Sequence, residues 1–423
     1  MLKILINSYT CCPNMGSEQG MGWNWIVHLA KHCELFVITE GEYKNQIEEW
    51  ITVPEHVDVA RNIHFHFNPV TKRIRKMCWR QGDWRFYKYY KDWQKRTAEL
   101  ARDICSSEHI DILHQLNMIG FREPGYLWQV SRETGIPFVW GPIGGLKQFP
   151  IAYVQGGTLI MGIFLRLKNF LNIWQLKHDK RVDNAFKQAS LLISSIPDSY
   201  QAIKTYKGRE SVVIPETGTF IQMKQSNTLK RFHKEVFTIL WVGKFDFRKR
   251  LDIALNATAL ASKSANVVLK VFGTGSEKQR TKGISIVKRL GIEDKIEWMG
   301  NLPNEQVKKA MGQADLFFFS SVNEDTSTVV LEAISNQLPV LCFNTCGMSA
   351  IVNDDVGIKI PLTTPDESEK EFAEKILYLY HHRNVLETMS ENCRLQALEL
   401  SWDAKAERMA NLYDEVIRNN KRK

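Results

Sequence analysis

The chain has 423 residues, of which 44% are hydrophobic and 24% charged, a composition typical of globular proteins. This length predicts two or three domains with sizeable hydrophobic cores. The longest apolar stretches, such as residues 159–165, are too short to cross a bilayer, and the N-terminus has no signal-peptide h-region. The eight cysteines include no CxxC pair, so we expect reduced thiols in a cytoplasmic protein rather than a disulfide-stabilised or membrane-spanning one.

The net charge of +9 comes mostly from residues 72–96, which hold ten basic, two acidic and seven aromatic side chains. This mixture suits an anionic membrane surface, although single-stranded nucleic acid could also stack on the rings. The third possibility is a solvated amphipathic helix whose aromatic side chains pack on their own domain. Residues 159–174 are also apolar and basic, which favours the membrane surface and argues against nucleic acid.

The order of the predicted elements indicates two α/β halves. In the first half, apolar segments alternate with helical patterns, as a parallel sheet with right-handed crossovers requires, at residues 3–7, 33–39, 62–68, 110–113, 138–140, 191–194 and 212–215. A polar stretch, residues 220–234, is typical of a linker. The pattern then restarts with strand candidates at residues 238–242, 267–273, 295–300, 315–320 and 339–343. This order predicts two Rossmann-like, doubly wound domains facing a cleft.

Two carboxylates follow one of these predicted strands. Glu324 falls in the loop after residues 315–320, and Glu332 falls just over one turn into the helix that comes next. Open α/β folds bind their ligands at the carboxyl ends of the strands. We therefore expect both carboxylates to face the cleft, where they can accept hydrogen bonds from the hydroxyls of a ribose or a sugar ring.

Several ordered motifs make this chain similar to the retaining GT-B glycosyltransferases of family 4, the group 1 glycosyltransferases. The paired carboxylates come after a strand that ends in Ser320 and before a Pro-Val strand at Pro339. Upstream, a strand leads to Gly243, Lys244 and, five residues later, Lys249. Further matches are the VFGTGSE and IEWMGNLPNEQV segments, with Gly273, Gly275, Gly300 and Asn301. The resemblance extends over essentially the whole chain.

The resemblance implies a role for each matching residue of the second half. Lys244 and Lys249 would stabilise the charge that accumulates on the leaving diphosphate of a nucleotide-sugar, and Arg248 or Arg250 could substitute for either. Glu332 would accept from the ribose hydroxyls, and Glu324 would contact the transferred sugar near its anomeric carbon. The alternative for either glutamate is a structural carboxylate, and for Lys249 a solvated residue in the first turn of a helix. Donor-binding residues on the same grounds are Gly16, Gly243, Gly273, Gly300, Thr326, Ser327 and Glu332.

The first half carries the matching half of the implied site. A glycine-rich loop with Gly16, Gly20 and Gly22 leads into a helix, and the resemblance implies that it closes on the diphosphate. His114 comes directly after a short predicted strand, where a family histidine contacts the donor sugar or the acceptor. A structural histidine at the end of the strand is the alternative. We also expect residues 141–147 to shape the acceptor side, with Lys147 able to meet phosphate.

The first carboxylate is where this chain departs from the family. The usual Glu-Gly-Phe-Gly is replaced by Glu324-Asp325-Thr326-Ser327, which lacks the conformational freedom of glycine. Thr326 and Ser327 offer hydroxyls instead, and either is a candidate cap for the next helix. The donor-sugar specificity of the family therefore cannot be assumed for this chain.

The resemblance also implies a domain organisation and a mechanism. Residues 1–218 would bind the acceptor, residues 219–400 would bind the donor, and residues 401–423 would form a helix that crosses back onto the first domain. No metal-ligand pattern and no nucleophile–base pair is present in the sequence, so neither a metal nor another cofactor is expected. Retention would follow front-face attack, with double displacement through Glu324 as the alternative.

These observations predict a hexosyltransferase that moves a sugar from a nucleotide-sugar to a glycan or lipid-linked acceptor in cell-surface polysaccharide biosynthesis. It would be cytoplasmic and could lie peripherally on the inner face of the membrane through residues 72–96. Two other functions remain open on the sequence. One is a nucleotide-sugar epimerase or phosphorylase on the same fold, and the other is a non-catalytic nucleotide-binding scaffold.

Overall fold

Two parallel sheets organise the computed structural model, which describes residues 1–80, 83–220 and 229–421. The first sheet has seven strands in the order β3-β2-β1-β4-β5-β6-β7, and its strands are β1 (Lys3–Ser8), β2 (Glu34–Thr39), β3 (Ile63–Phe67), β4 (Ile112–Asn117), β5 (Phe138–Ile143), β6 (Leu191–Ser194) and β7 (Val212–Val213). Helices cover both faces, so these strands are nearly continuous apolar runs. In β1, for example, Leu5 packs on one side of the sheet and Ile4 and Ile6 pack on the other.

The second sheet has six strands in the order β10-β9-β8-β11-β12-β13. They are β8 (Phe237–Val242), β9 (Val267–Phe272), β10 (Ile296–Gly300), β11 (Leu316–Phe319), β12 (Val340–Phe343) and β13 (Gly357–Ile360). In each sheet the chain order reverses once, between β1 and β4 and between β8 and β11. These reversals are the switch points at which the loops part and leave a crevice for a ligand.

The helices of the first domain are α1 (Ser17–Leu29), α2 (Lys44–Thr52), α3 (Val57–Ala60), α4 (Lys72–Trp79), α5 (Phe86–Ser107), α6 (Leu127–Thr134), α7 (Leu159–His178), α8 (Lys180–Gln188) and α9 (Pro197–Lys207). Those that follow are α10 (Leu251–Ala261), α11 (Glu277–Leu290), α12 (Asn304–Met311), α13 (Thr328–Ser335), α14 (Met348–Ile351), α15 (Pro365–His381), α16 (Arg383–Glu399) and α17 (Trp402–Asn420). Within the described ranges, none of them is both long enough and apolar enough to span a bilayer.

The last helix, α17, crosses back onto the first domain. A parallel bridge joins Thr219 to Ser401 where the chain crosses. Beyond it, Trp402, Met409 and Tyr413 are buried in the core that surrounds Trp25 of α1. The predicted architecture of two Rossmann-like domains with a returning C-terminal helix is confirmed.

A segment of the first domain is anchored in the second. After β5 the chain runs over the second domain, where Phe149 and Tyr153 are buried in its core. The Tyr153 hydroxyl lies 2.6 Å from Ser368 Oγ, and its carbonyl oxygen accepts from Arg250 at 3.0 Å. We call residues 149–154 the docking segment. The domains are thus connected by the chain crossing after β7, by the docking segment and by α17.

Two strand predictions differ from the structure. The strand predicted at residues 110–113 is β4, Ile112–Asn117, which continues through polar residues because their side chains are hydrogen-bonded inside the domain. Strand β13 was not predicted, because it is only Gly357–Ile360 and has two half-buried positions, which weakens its apolar pattern. The predicted linker, residues 220–234, lies partly outside the described residues, and its described part includes a 3₁₀ helix, Leu229–His233.

Candidate active site

The switch point of the second sheet brings two loops side by side. Strands β8 and β11 pair directly, with Leu316 opposite Ile239. The loop after β8 carries Gly243 and Lys244, and the loop after β11 carries Glu324. Lys244 and Glu324 are 80 residues apart in the chain, so it is the parallel pairing that makes their loops neighbours.

Glu324 is held between two cations. Its Oε1 lies 2.5 Å from Lys249 Nζ and its Oε2 lies 3.3 Å from Arg248 Nη1. Ser321 Oγ also donates to Oε1 at 3.2 Å. The side chains of Lys249 and Glu324 are only 12% and 13% exposed, so the pair is held in a largely water-poor position. The cations are therefore fixed in place beside the cavity that they line.

That cavity, which we call the sugar cavity, has a volume of about 530 Å³ and lies between the domains. It is lined on one side by Gly243, Lys244, Arg248 and Lys249 of the second domain. In the part of the chain that the structure describes, the ammonium of Lys244 has neither an ion pair nor a hydrogen bond. It remains available to an anionic ligand such as a diphosphate.

Glu332 lines a second cavity of about 420 Å³, which we call the nucleoside cavity. It lies in α13, just over one turn from the first residue, Thr328, as the sequence predicts. Its Oε1 accepts from Asn304 Nδ2 at 2.9 Å, and its Oε2 has no hydrogen-bond partner among the residues that the structure describes. Both cavities are lined by Ser17, Met21, Thr217 and Thr328. They thus form one continuous cleft, with Glu332 in one half and Glu324 in the other.

The structure divides the predicted glycines into two groups. Gly16 lines the nucleoside cavity and Gly243 lines the sugar cavity. Gly273 and Gly300 line neither. Gly273 adopts φ 121° and packs so closely on Gly243 that a Cβ would collide with the carbonyl oxygen of Gly243. Its N–H donates to the Gly300 carbonyl at 2.7 Å. These two glycines support the loop after β8 rather than face the cleft.

Thr326 and Ser327 both line the sugar cavity. Ser327 occupies the N-cap position of α13, but its hydroxyl makes no capping hydrogen bond. The Thr326 hydroxyl makes no capping bond either, and the Thr326 N–H donates to Glu216 of the first domain at 2.6 Å. The expectation that one of these hydroxyls caps the helix is wrong, because the loop is arranged around the first domain instead.

His114 does not face the cleft. It lies inside β4 with no exposed surface, and its ring nitrogens lie 2.6 Å from the Tyr413 hydroxyl and 2.7 Å from the Gly141 carbonyl. Since a carbonyl only accepts, Nε2 donates to Gly141 and Nδ1 accepts from Tyr413. Burial lowers the pKa of His114 to about 4, which keeps the ring neutral. The expectation that it contacts donor or acceptor is wrong, because β4 extends past Leu113 and directs His114 onto α17.

Three carboxylates of the sugar cavity were not among the predicted site residues. They are Glu18 in the first turn of α1, Glu216 after β7 and Asp325 beside Glu324. Burial, reinforced by the charge of Asp325, raises the pKa of Glu18 to about 7 and that of Glu216 to about 8. Burial also raises the pKa of Asp325. Only their positions in the sequence could have marked them as site residues, since each lies in the loop or helix that follows a strand of a parallel sheet.

Several hydrogen bonds join the two domains around this cavity. Gly145 N–H donates to Asp325 Oδ1 at 3.4 Å, and Cys346 N–H donates to Asp198 Oδ2 at 3.0 Å. Lys147 Nζ lies 2.6 Å from both Asp198 Oδ1 and Thr345 Oγ1. Lys147 was expected to be available to phosphate, but it is already engaged in this contact between the domains.

A metal ion would need a group of three or more carboxylate, imidazole or thiolate ligands at suitable distances. Residues 1–80, 83–220 and 229–421 contain no such group. The cations beside the cavity are instead the side chains of Lys244, Arg248 and Lys249, which can meet a diphosphate directly.

Residues 224–396 match the family model described as glycosyl transferases group 1. Among curated relatives, an uncharacterized glycosyltransferase of Methanocaldococcus jannaschii is 26% identical over 177 residues, 41% of this chain and 44% of its own. Lipopolysaccharide glucosyltransferase WaaG of Escherichia coli is 28% identical over 131 residues, 31% of this chain and 33% of its own. The chain thus spans less than half the length of these relatives.

Solved structures are similar over nearly the whole chain. Sucrose-phosphate synthase from Thermosynechococcus elongatus has a TM-score of 0.64 at 15% identity, covering 99% of this chain and 100% of its own. HepE of Anabaena in complex with UDP has a TM-score of 0.60 at 15% identity, covering 98% and 100%. At this identity the similarity concerns the fold, and the predicted GT-B fold is confirmed.

We expect His114→Ala to lower the free energy of unfolding by about 2–4 kcal/mol, because it leaves a cavity and removes the hydrogen-bond partner of the Tyr413 hydroxyl and of the Gly141 carbonyl. Nucleotide affinity should not change. Urea denaturation followed by fluorescence measures the first effect and calorimetry the second. His109→Ala is the matched control, since that side chain is 88% exposed. Wild-type stability combined with loss of ligand binding would restore His114 to the site.

Glu216→Gln should change how stability depends on pH. The pKa of Glu216 is raised from 4.5 to about 8 on folding, so the stability that its proton contributes is complete below about pH 4.5 and is lost as pH rises through 8. Wild-type stability should therefore fall relative to the variant between about pH 5 and 7. Above that range Lys405, whose pKa burial lowers to about 7, titrates with the opposite sign. Parallel stability curves from urea titrations would contradict the shift.

Proposed function

We propose that this chain transfers a sugar from a nucleotide-sugar donor with retention, because residues 224–396 match the model of the group 1 glycosyl transferases and the fold is GT-B. The observation that supports this most is the cleft at the switch point of β8 and β11. It places Lys244, Lys249 and Glu324 around one cavity, and Glu332 lines the continuous cavity beside it.

The cations supply the electrostatic part of the reaction. When the bond from the anomeric carbon to the diphosphate breaks, negative charge accumulates on the leaving phosphate oxygens. Lys244 is unpaired in the described structure, and Lys249 and Arg248 already lie beside the cavity through their contacts with Glu324. Cations held in this way stabilise the charge without reorganising, which is where such sites gain most of their rate.

Glu332 and Glu324 divide the donor between them. The free oxygen of Glu332 in the nucleoside cavity can accept from ribose hydroxyls. Glu324 lines the sugar cavity beside Lys249 and Arg248, so it would lie near the anomeric carbon of a sugar attached to the phosphate. For a front-face mechanism, the acceptor hydroxyl attacks on the side of the leaving group, and a leaving phosphate oxygen takes its proton. His114 has no part in this mechanism because it is buried in β4.

We propose a lipid-linked or membrane-associated glycan acceptor because α7 exposes an apolar face. The side chains 49–81% exposed on this helix are Leu159, Ile160, Ile163, Phe164, Leu167, Phe170, Leu171 and Trp174. They recur at helical spacing, and Arg166, Lys168 and Lys177 accompany them. Such a face is typical of helices that lie in the interface of an anionic membrane. The docking segment connects α7 to the second domain, so the cleft would lie close to that membrane.

Residues 72–96 contribute less apolar surface than expected. Phe86, Tyr90 and Trp93 of α5 pack on Tyr9 inside the first domain, as the amphipathic-helix alternative predicts. Trp84 and Tyr87 are exposed. The basic side chains of α4 and the turn after it instead line a cavity of about 410 Å³, namely Lys72, Arg73, Lys76, Arg80 and Arg85. This part of the surface would supply attraction to anionic headgroups rather than insertion.

A thermal-shift screen of UDP, GDP, ADP and their sugars should find one nucleotide series that stabilises the protein, by about 2.7 kcal/mol at a hundredfold excess over Kd. Glu332→Ala should weaken binding of that nucleotide about tenfold, since one charged hydrogen-bond acceptor is lost. Glu293→Ala is the control, because Glu293 is an exposed carboxylate of the same domain that lines neither cavity. If no nucleotide stabilises the protein, the donor-site assignment fails.

Lys249→Met should lower the rate of transfer about 100-fold with little change in nucleotide affinity, because its charge is needed most when the phosphate leaves. Single-turnover assays with the donor found in the screen measure this rate. Lys263→Met, an exposed lysine after α10, is the charge-matched control. Equal rates for both variants would remove Lys249 from the proposed mechanism.

Phe164→Glu/Leu167→Glu should lower the fraction of protein that co-sediments with anionic phosphatidylglycerol vesicles by about tenfold, because both side chains would leave the apolar interface. Leu395→Glu/Leu398→Glu is a matched pair on α16, where both leucines are exposed outside the proposed surface. Binding that is unchanged by the first pair, or equally reduced by the second, would contradict a membrane-facing α7.

A further inference from the structure

One end of the sugar cavity is a carboxylate wall that the proposed mechanism does not use. We give this name to Glu18, Glu216 and Asp325, which come from both domains and all line the cavity. Of the ion pairs within 4.0 Å in the described ranges, none involves these three residues. In contrast, Glu324 in the same cavity contacts Lys249 and Arg248. The cavity is therefore lined both by cations of the second domain and by three carboxylates that make no ion pair.

The wall also contains an unfilled hydrogen-bond acceptor. Glu216 is only 7% exposed, and its Oε1 accepts from the Thr326 N–H at 2.6 Å. Its Oε2 is buried and has no hydrogen-bond partner in the described part of the chain, and the same is true of Glu18 Oε2. Buried acceptors normally find a donor. Both residues line the cavity, so a hydroxyl of a ligand can supply the donor once either side chain turns its buried Oε2 towards the cavity.

The positive charge closest behind the wall does not neutralise it. Lys405 of α17 is buried beside Glu216, and its Nζ donates to the carbonyl oxygens of Pro215 and Thr217. Burial lowers its pKa to about 7, so its charge is weakened at neutral pH. At about pH 8.5, above the pKa values of Glu18, Glu216 and Lys405, the net field on a ligand beside the wall is therefore that of the carboxylates.

The cations and the carboxylate wall together determine how a donor would be oriented in the cavity. Under the proposed function, the diphosphate lies against Lys244, Lys249 and Arg248, and the nucleoside extends towards Glu332. The transferred sugar then occupies the remaining part of the sugar cavity, which is the part lined by the carboxylate wall. Each ring hydroxyl can donate to an unfilled carboxylate oxygen, whereas a carboxylate on the sugar would meet like charge.

Resting on that proposed function, we infer that Glu18, Glu216 and Asp325 are specificity residues that select a neutral, hydroxyl-rich hexose as the transferred sugar and reject a hexuronate. Asp325 is central to this selectivity, since its charge acts on both Glu18 and Glu216. The backbone of that loop is held by Glu216 through the Thr326 N–H, so the two residues act together.

Isothermal titration calorimetry with matched donors tests this selectivity. The probes are UDP-glucose against UDP-glucuronate and GDP-mannose against GDP-mannuronate, at about pH 8.5, where Glu216 is largely ionised. We expect the hexuronate of the series that binds to have a Kd at least about 30-fold higher than the hexose. In Glu216→Gln/Asp325→Asn the ratio should fall below about threefold.

Glu297→Gln is the control, because it removes one negative charge from the second domain at a half-exposed position on β10. It should keep the wild-type ratio. Unchanged affinity of the double variant for UDP or GDP shows that its cleft is intact. Two outcomes overturn the specificity inference alone, provided that UDP or GDP binds. One is a hexuronate that binds as well as the hexose, and the other is a double variant that keeps the wild-type ratio of the hexuronate Kd to the hexose Kd. If neither series binds and the thermal-shift screen finds no ADP series either, the proposed function falls and this inference falls with it.

Discussion

The contact between Lys249 and Glu324 joins the two loops on which the candidate site depends. The loops leave neighbouring strands, β8 and β11, at the point where the order of the second sheet reverses. Without a cation between them, a half-buried carboxylate at this position would be costly. With Lys249 and Arg248 beside it, Glu324 fixes both cations at the edge of the cavity. The same contact thus stabilises the loop and prepares the site for an anionic ligand.

The first domain completes the cleft because three connections hold it against the second. The chain crosses between the domains after β7, returns through Ser401, and is joined again by the docking segment around Tyr153. Hydrogen bonds from Gly145 and Thr326 then connect the loops that face each other across the sugar cavity. Carboxylates from both domains can therefore line one cavity, although they are far apart in the chain.

The part of the fold that repeats a simple pattern could be predicted from the sequence. Strands such as Leu191–Ser194 are buried on both faces and therefore form short apolar runs, which are visible without a structure. Strand β13 was not predicted because half of its positions are only partly buried, which weakens the apolar pattern. The end of β4 was not predicted because a run of polar residues in a sequence resembles the start of a loop. In the structure, His114 and its polar neighbours are hydrogen-bonded inside the domain.

For the site, the sequence by itself determined which residues of the second domain follow β8 and β11, since a parallel sheet puts the carboxyl ends of its strands at one edge. Glu324 and Glu332 were predicted on that basis, Lys244 and Lys249 were predicted from the resemblance to the group 1 glycosyltransferases, and all four line one cleft. Only the tertiary structure decided that His114 belongs to the core and that Glu18, Glu216 and Asp325 meet in the sugar cavity. The physical reason is that burial and partners across the domains set the role of a polar side chain, and neither is written in its local sequence.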